Sequence, residues 1–175
     1  MYIETSRLII RDLVMEDWVH IHVYASNPKV TEHMIWGPND EDETKSYVKQ
    51  QIENQRAVDR TDFEFAVLLK DSNQLIGGCG IYIKELNAEI GYCFNPEYWR
   101  KGYASEASKA LLKLAFEKFK VHRVYATCRP GNIGSANVLS KIGMKKEGHL
   151  REHLWTKGKF HDSYLFSILE NEYTE

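Results

Sequence analysis

Arg100, Lys101 and Gly102, followed by the small residues Ala104 and Ser105, are the part of this 175-residue chain best equipped for chemistry, and that chemistry is the holding of an anion. Asn95 to Ser108 reads NPEYWRKGYASEAS and joins an apolar run, Ala88 to Phe94, to an amphipathic one. A helix that opens here leaves its first N–H groups without partners inside the helix. Those groups, at the positive end of the helix dipole, can receive a phosphate. Gly102 and the short side chains after it let a ligand approach the backbone. The loop is therefore expected to cradle a pyrophosphate. The pattern GxxxxGK[ST] is absent, and Gly77-Gly78-Cys79-Gly80 neither fits GxGxxG nor leads into a helix, so neither common nucleotide motif accounts for it.

Such a loop needs a strand to deliver it and a helix to follow it, and the pattern supplies both. Tyr2 to Leu13 alternates as a first strand, and Met15 to Ser26 and Asn39 to Val58 have helical spacing. Phe63 to Leu69, Leu75 to Ile83 and Ala88 to Phe94 read as an antiparallel meander with a turn at Asp71-Ser72-Asn73. Gly102 to Phe119 is the clearest helix, and Val121 to Thr127 the strand after it, far enough away for a parallel crossover. Asn132 to Ile142 is a short helix stopped by Gly143. Lys145 to Arg151 and His161 to Leu169 form a last hairpin around Lys157-Gly158-Lys159. The expectation is one α/β domain over residues 1–175, a mixed and mostly antiparallel sheet of six to seven strands with about four helices.

With 43% apolar and 27% charged residues the chain can bury one core, and its net charge of −2 argues against non-specific binding to nucleic acid. Cys79, Cys93 and Cys128 are odd in number and lie in apolar segments, which is neither a disulfide framework nor a zinc spacing and points to a reducing cytoplasm. No run approaches the roughly 20 apolar residues of a membrane helix, so no membrane partner is expected. His149-x-x-Glu152-His153 spells a metalloprotease pattern, but Gly148 and Gly158 flank it and a strand or loop is the better reading, so no metal is expected. His161-Asp162 is too short to indicate a phosphohydrolase, and Trp36 and Trp155 read as packing or as acceptor-side residues.

The order of strand, RKGYASEA, helix, and then Asn132-x-x-Ser135-x-x-Val138-x-x-Lys141-x-Gly143-Met144 resembles the GNAT superfamily of acetyl-CoA-dependent N-acetyltransferases. Thr5-x-Arg7-Leu8-x-x-Arg11 and Gly158-Lys159-Phe160-x-Asp162 resemble the branch with the ribosomal-protein N-terminal acetyltransferases. The resemblance spans nearly the whole chain. It implies that Arg100, Lys101, Gly102, Tyr103, Ala104 and Ser105 wrap the CoA pyrophosphate. It also implies that the fourth strand, Ala88 to Phe94, splays from the fifth. Cys93, Phe94 and Asn95 would then bond the pantetheine arm, the Cys93 N–H would act as a small oxyanion hole, and Asn132 and Ser135 would lie on the far side. Asn132 as a plain helix cap is compatible with that role.

Acetyl transfer needs a neutral amine. The reference pKa is about 7.7 to 8.0 for an α-amine and about 10.4 for lysine, so an α-amine asks less of its base. Glu89 is the candidate base. It lies in the splayed strand, shares a side with Gly91 and Cys93 by alternation, and resembles in position the catalytic glutamate of some superfamily members. The aromatic residues Tyr92, Phe94, Tyr98 and Trp99 are expected to raise its pKa. Many members place a tyrosine seven residues after the asparagine where this chain has Leu139, so Ser135 is the substitute donor to the leaving sulfur. The expected reaction is direct transfer from acetyl-CoA to a primary amine in a ternary complex, without a covalent enzyme intermediate. The acceptor is a protein N-terminus, or else a polyamine, amino acid or aminoglycoside-like amine. A non-catalytic CoA-binding sensor is the rival class. The sequence is compatible with a homodimer.

Overall fold

A computed structural model describes residues 1–174, and its centre is an eight-stranded sheet in the order β1-β2-β3-β4-β5-β6-β8-β7. The strands are β1 (Tyr2–Glu4), β2 (Leu8–Asp12), β3 (Asp62–Leu69), β4 (Leu75–Lys84), β5 (Asn87–Phe94), β6 (Arg123–Cys128), β7 (Lys145–Thr156) and β8 (Lys159–Leu169). The helices are α1 (Trp18–Ala25), α2 (Pro28–Thr31), α3 (Glu41–Asn54), α4 (Tyr103–Lys113) and α5 (Ile133–Lys141). Every neighbouring pair is antiparallel except β5 and β6, which the crossover through α4 makes parallel.

The sheet has more strands than the expected six to seven because the first one folds on itself. At Thr5-Ser6-Arg7 the chain turns, and Tyr2 comes to face Arg11 across a short hairpin. The fifth helix, α2, is also unforeseen, although its signal is present: Asn27 accepts from the Lys29 N–H and Pro28 occupies the first helical position. The His149 to His153 pattern lies in β7, so its histidines do not share a helical face.

Apolar residues fill both sides of the sheet. On one side Leu111 and Leu112 of α4 and Leu139 of α5, all essentially inaccessible, pack with Phe65, Ile81 and Val124. Burying each of these side chains contributes about 1.5 to 3 kcal/mol before its cost in entropy. On the other side Ile21 and Tyr24 of α1 and Val48 of α3 cover Ala66 and Leu68.

Strands β5 and β6 stay together for three rungs only, Asn87 to Glu89 against Arg123 to Tyr125. Beyond Glu89, β5 continues along β4 as far as Phe94, while β6 continues along β8 as far as Cys128. The sheet parts between them, at the place where the resemblance put a splay.

Candidate active site

The parting opens a cleft of about 720 Å³. Its walls are Ile90 to Phe94 of β5, the loop and first turn from Tyr98 to Ser105, Ala126 to Cys128 of β6, the start of α5, and Lys29 to Met34 around α2. Of the residues anticipated from sequence, Cys93, Phe94, Arg100, Gly102, Tyr103, Ala104, Ser105, Asn132 and Ser135 line it. Lys101, Asn95 and Glu89 do not.

The loop arrives at α4 through two left-handed residues, Arg100 (φ 60°) and Gly102 (φ 85°). No side chain caps the helix, so the N–H groups of its first turn stay open. The N-terminal turn braces this mouth from behind. Thr5, Ser6 and the Arg7 backbone all donate to Glu106 Oε1, and Arg7 Nε donates to Oε2 at 2.7 Å. Arg7 also donates to the Lys101 carbonyl at 3.0 Å and lies over the Tyr103 ring. Burial alone would raise the Glu106 pKa, but the bonds from Thr5, Arg7 and Ser6 outweigh it and hold the group below its ordinary value. The Thr5-x-Arg7 motif therefore acts by fixing α4. A Cβ on Gly102 would stand 3.3 Å from an Arg7 nitrogen as well as straining φ, so this glycine serves the fold as much as the cleft.

Register decides which amides of β5 face the gap. Asn95 donates its N–H to the Ile76 carbonyl at 2.9 Å, and the pairing of β4 with β5 runs unbroken from Phe94 to Asn87. In an antiparallel ladder such bonds alternate, so Cys93 and Gly91 direct their N–H groups toward β4, whereas Phe94 and Tyr92 direct theirs toward the gap. The Cys93 N–H, expected at the gap, is therefore turned to β4. Asn95 is used locally: its side chain caps Glu97 and its carbonyl accepts from Tyr98. The Phe94 carbonyl accepts from the Trp99 indole at 2.7 Å, which ties the loop to the strand. Burial pushes the Cys93 thiol up to about 12, so it remains protonated and is a poor nucleophile.

Across the cleft, Asn132 caps α5 by accepting from the Ser135 N–H at 3.1 Å. The Ser135 hydroxyl lies 2.9 Å from the Tyr92 hydroxyl. Burial raises Tyr92 above its ordinary value, so its phenol keeps its proton and can donate. Leu139, fully buried, belongs to the core. Sequence reasoning assigned Tyr92 to the aromatic surroundings of Glu89; the parting of β5 from β6 instead sets its hydroxyl on Ser135.

Glu89 stands on the last rung before the parting, opposite Tyr82 of β4 and Tyr125 of β6. Burial raises its pKa, and a hydrogen bond with Tyr125 and the field of His153 partly offset the rise. The enclosing aromatic groups are not the expected Tyr92 and Phe94, which by alternation project from the opposite face of β5.

Residues 7–145 match the family model described as an acetyltransferase (GNAT) domain. The chain is 38% identical over 175 residues to the uncharacterized N-acetyltransferase YnaD of Bacillus subtilis, covering 99% of each. The crystal structure of a GNAT-family acetyltransferase from Bacillus anthracis superposes with a TM-score of 0.87 at 36% identity, over 98% of this chain and 99% of that one. The fold is also that of spermidine N-acetyltransferase from Vibrio cholerae, solved with CoA and spermine: TM-score 0.80, 23% identity, 96% and 98% covered.

Proposed function

Because the chain belongs to the GNAT family and is an acetyl-CoA-dependent N-acetyltransferase, we propose that it moves the acetyl group directly to a primary amine while both substrates are bound. The single observation that carries this reading is an uncapped helix end set at the mouth of a parted sheet. Tyr103, Ala104 and Ser105 offer main-chain donors to the diphosphate, with Arg100 beside them. The pantetheine arm then lies along the free edge of β5. There the gap-facing amides of Phe94 and Tyr92 bond its carbonyls and polarise the thioester. Asn132 and Ser135 close the other side.

Glu89 takes the proton of the attacking amine, directly or through one water, and the rise of its pKa on burial makes it a stronger base than a solvated glutamate. The Ser135 hydroxyl, backed by the phenol of Tyr92, returns a proton to the departing sulfur. A thiol of pKa about 8.5 is already a fair leaving group, so this donation matters less than alignment. The acceptor classes are a protein N-terminal α-amine and a small aliphatic amine, and the work is done in the cytoplasm.

Thiol release from acetyl-CoA, measured over a panel of N-terminal peptides and small amines, tests the reading. Turnover should depend on the amine and show no burst of acylated protein. Tight CoA binding with no turnover on any amine would overturn it.

A further inference from the structure

On the face of the sheet covered by α1 and α3, two glycines abreast lead from β3 to the parting of β5 and β6, the first covered by neighbouring side chains and the second open. Glu64 of β3 lies opposite Gly80 of β4, and Gly80 lies opposite Gly91 of β5. Opposed residues point to one face, and the adjacent rung of Ala66, Gly78 and Cys93 identifies it, since Ala66 and Cys93 pack with the α1 and α3 core. Gly91 lines the cleft, and a Cβ built on it would meet nothing within 4 Å. Two glycines abreast weaken a sheet interior; here the first makes way for the Glu64 carboxylate and the Tyr82 hydroxyl, and the second leaves room for a ligand.

Glu64 occupies the closed end of this strip. Its Oε2 lies 3.0 Å from where a Cβ of Gly80 would stand, so the carboxylate hangs over the neighbouring strand. Strands are spaced about 4.8 Å apart, which leaves one such spacing between the carboxylate and the open position over Gly91. Oε1 accepts from the Tyr82 hydroxyl, and Tyr47 of α3 bonds the same carboxylate. Tyr24 and Cys93 feel its charge as well. The groups that most affect Glu64 are the hydroxyls of Tyr82 and Tyr47 and the Asp62 carboxylate, none of them a cation. A half-buried carboxylate held between two tyrosine hydroxyls is ready to receive a positive partner, and a substrate ammonium would supply it.

We propose that Glu64 determines acceptor specificity by receiving the amine in its ammonium form over Gly91, beside the thioester held at the gap. The inference rests on the acetyltransferase reading above. The acceptor class is an aliphatic primary amine, charged when it arrives, and an uncharged amine of equal size is a poorer ligand. The two glutamates divide the work. Glu64 holds the ammonium, and Glu89, on the next rung, takes one of its protons. The nitrogen lone pair forms the C–N bond as the C–S bond breaks, and the second nitrogen proton balances the thiolate through Ser135 and Tyr92.

The test compares a primary alkylamine accepted by the wild-type enzyme with an alkoxyamine of the same shape, which is neutral at the assay pH. Glu64→Gln should raise KM for the alkylamine by about tenfold to a hundredfold, the range of one bond to a charged group. It should change kcat less than about threefold and leave KM for the alkoxyamine and the affinity for CoA unaltered. An unchanged alkylamine KM, or equal rises for both amines, overturns the proposal. Should the variant fail to fold, the wild-type enzyme alone decides, since the alkylamine must bind at least about tenfold better than the alkoxyamine. Turnover without that preference sinks this inference only, whereas no turnover on any amine sinks the transferase reading with it.

Discussion

Where the gap meets α4 and α5, its equipment is main chain: the open amides of Tyr103, Ala104 and Ser105 and the outward N–H groups of Tyr92 and Phe94. On the face covered by α1 and α3 the proposed equipment is side chain: Glu89 beside Tyr125, and Glu64 beside Tyr82 and Tyr47. The first kind of site needs only that nothing stand in the way, so it is written locally as a run of glycine, alanine and serine after a strand. The second is assembled by register from β3, β4, β5, β6 and α3. A backbone-built donor site tolerates drift in its side chains, whereas the acceptor side can be retuned one residue at a time.

Five substitutions break or sharpen this contrast. The largest effect is expected from Gly102→Val, because a β-branched residue at φ 85° is strained by about 1 to 3 kcal/mol and turns the first helical amides away. CoA affinity, measured by calorimetry, should fall more than about a hundredfold, and the melting temperature should drop by several degrees. A variant that loses the degrees but keeps the affinity would detach the loop from the diphosphate.

On the acceptor side, Glu89→Gln should lower kcat by about a hundredfold or more, the usual worth of a general base, with CoA affinity unchanged. Burial raises Glu89, so the acid limb of kcat/KM in the wild type should lie above the ordinary glutamate value of about 4.3 and vanish in the variant. A variant that keeps the wild-type profile would transfer the base role elsewhere.

Glu106→Gln tests the brace behind the donor mouth. The folded state holds Glu106 below its ordinary pKa, so its stabilisation is present above about pH 4.3 and is lost as pH falls through the lowered value. The variant should melt earlier at pH 7, and the deficit should shrink in acid. A deficit that stays constant with pH would deny the carboxylate its role. The smallest effect belongs to Ser135→Ala, under about tenfold in kcat, because the thiolate leaves tolerably without help. Tyr92→Phe should match it and add little in the double variant, since the two hydroxyls act as one chain. Additive losses would separate them.

How much of this was legible in the sequence follows from the same contrast. The order of elements, the crossover from β5 to β6, the open end of α4 and the cap at Asn132 all leave local marks in residue type and spacing. The hairpin at Thr5 to Arg7 was hidden because its turn, Thr5-Ser6-Arg7, carries no glycine, proline or asparagine, and the only mark is a slip of phase that puts Ile3 on the face of Ile10. The misplacement of the oxyanion donor on Cys93 is subtler: composition does not tell which amides of a strand face a neighbour, and here a single bond from Asn95 to Ile76 sets the phase. Glu64 and Tyr82 lie 18 residues apart, and nothing local connects them.

On the reading proposed above, the two substrates meet at the parting of β5 from β6 and reach the reacting carbon from opposite faces of the sheet. Each product then has its own exit. Free CoA should compete with acetyl-CoA but not with the amine, the acetylated amine should show the mirror-image pattern, and an inhibitor that joins both halves would have to be threaded through the parting.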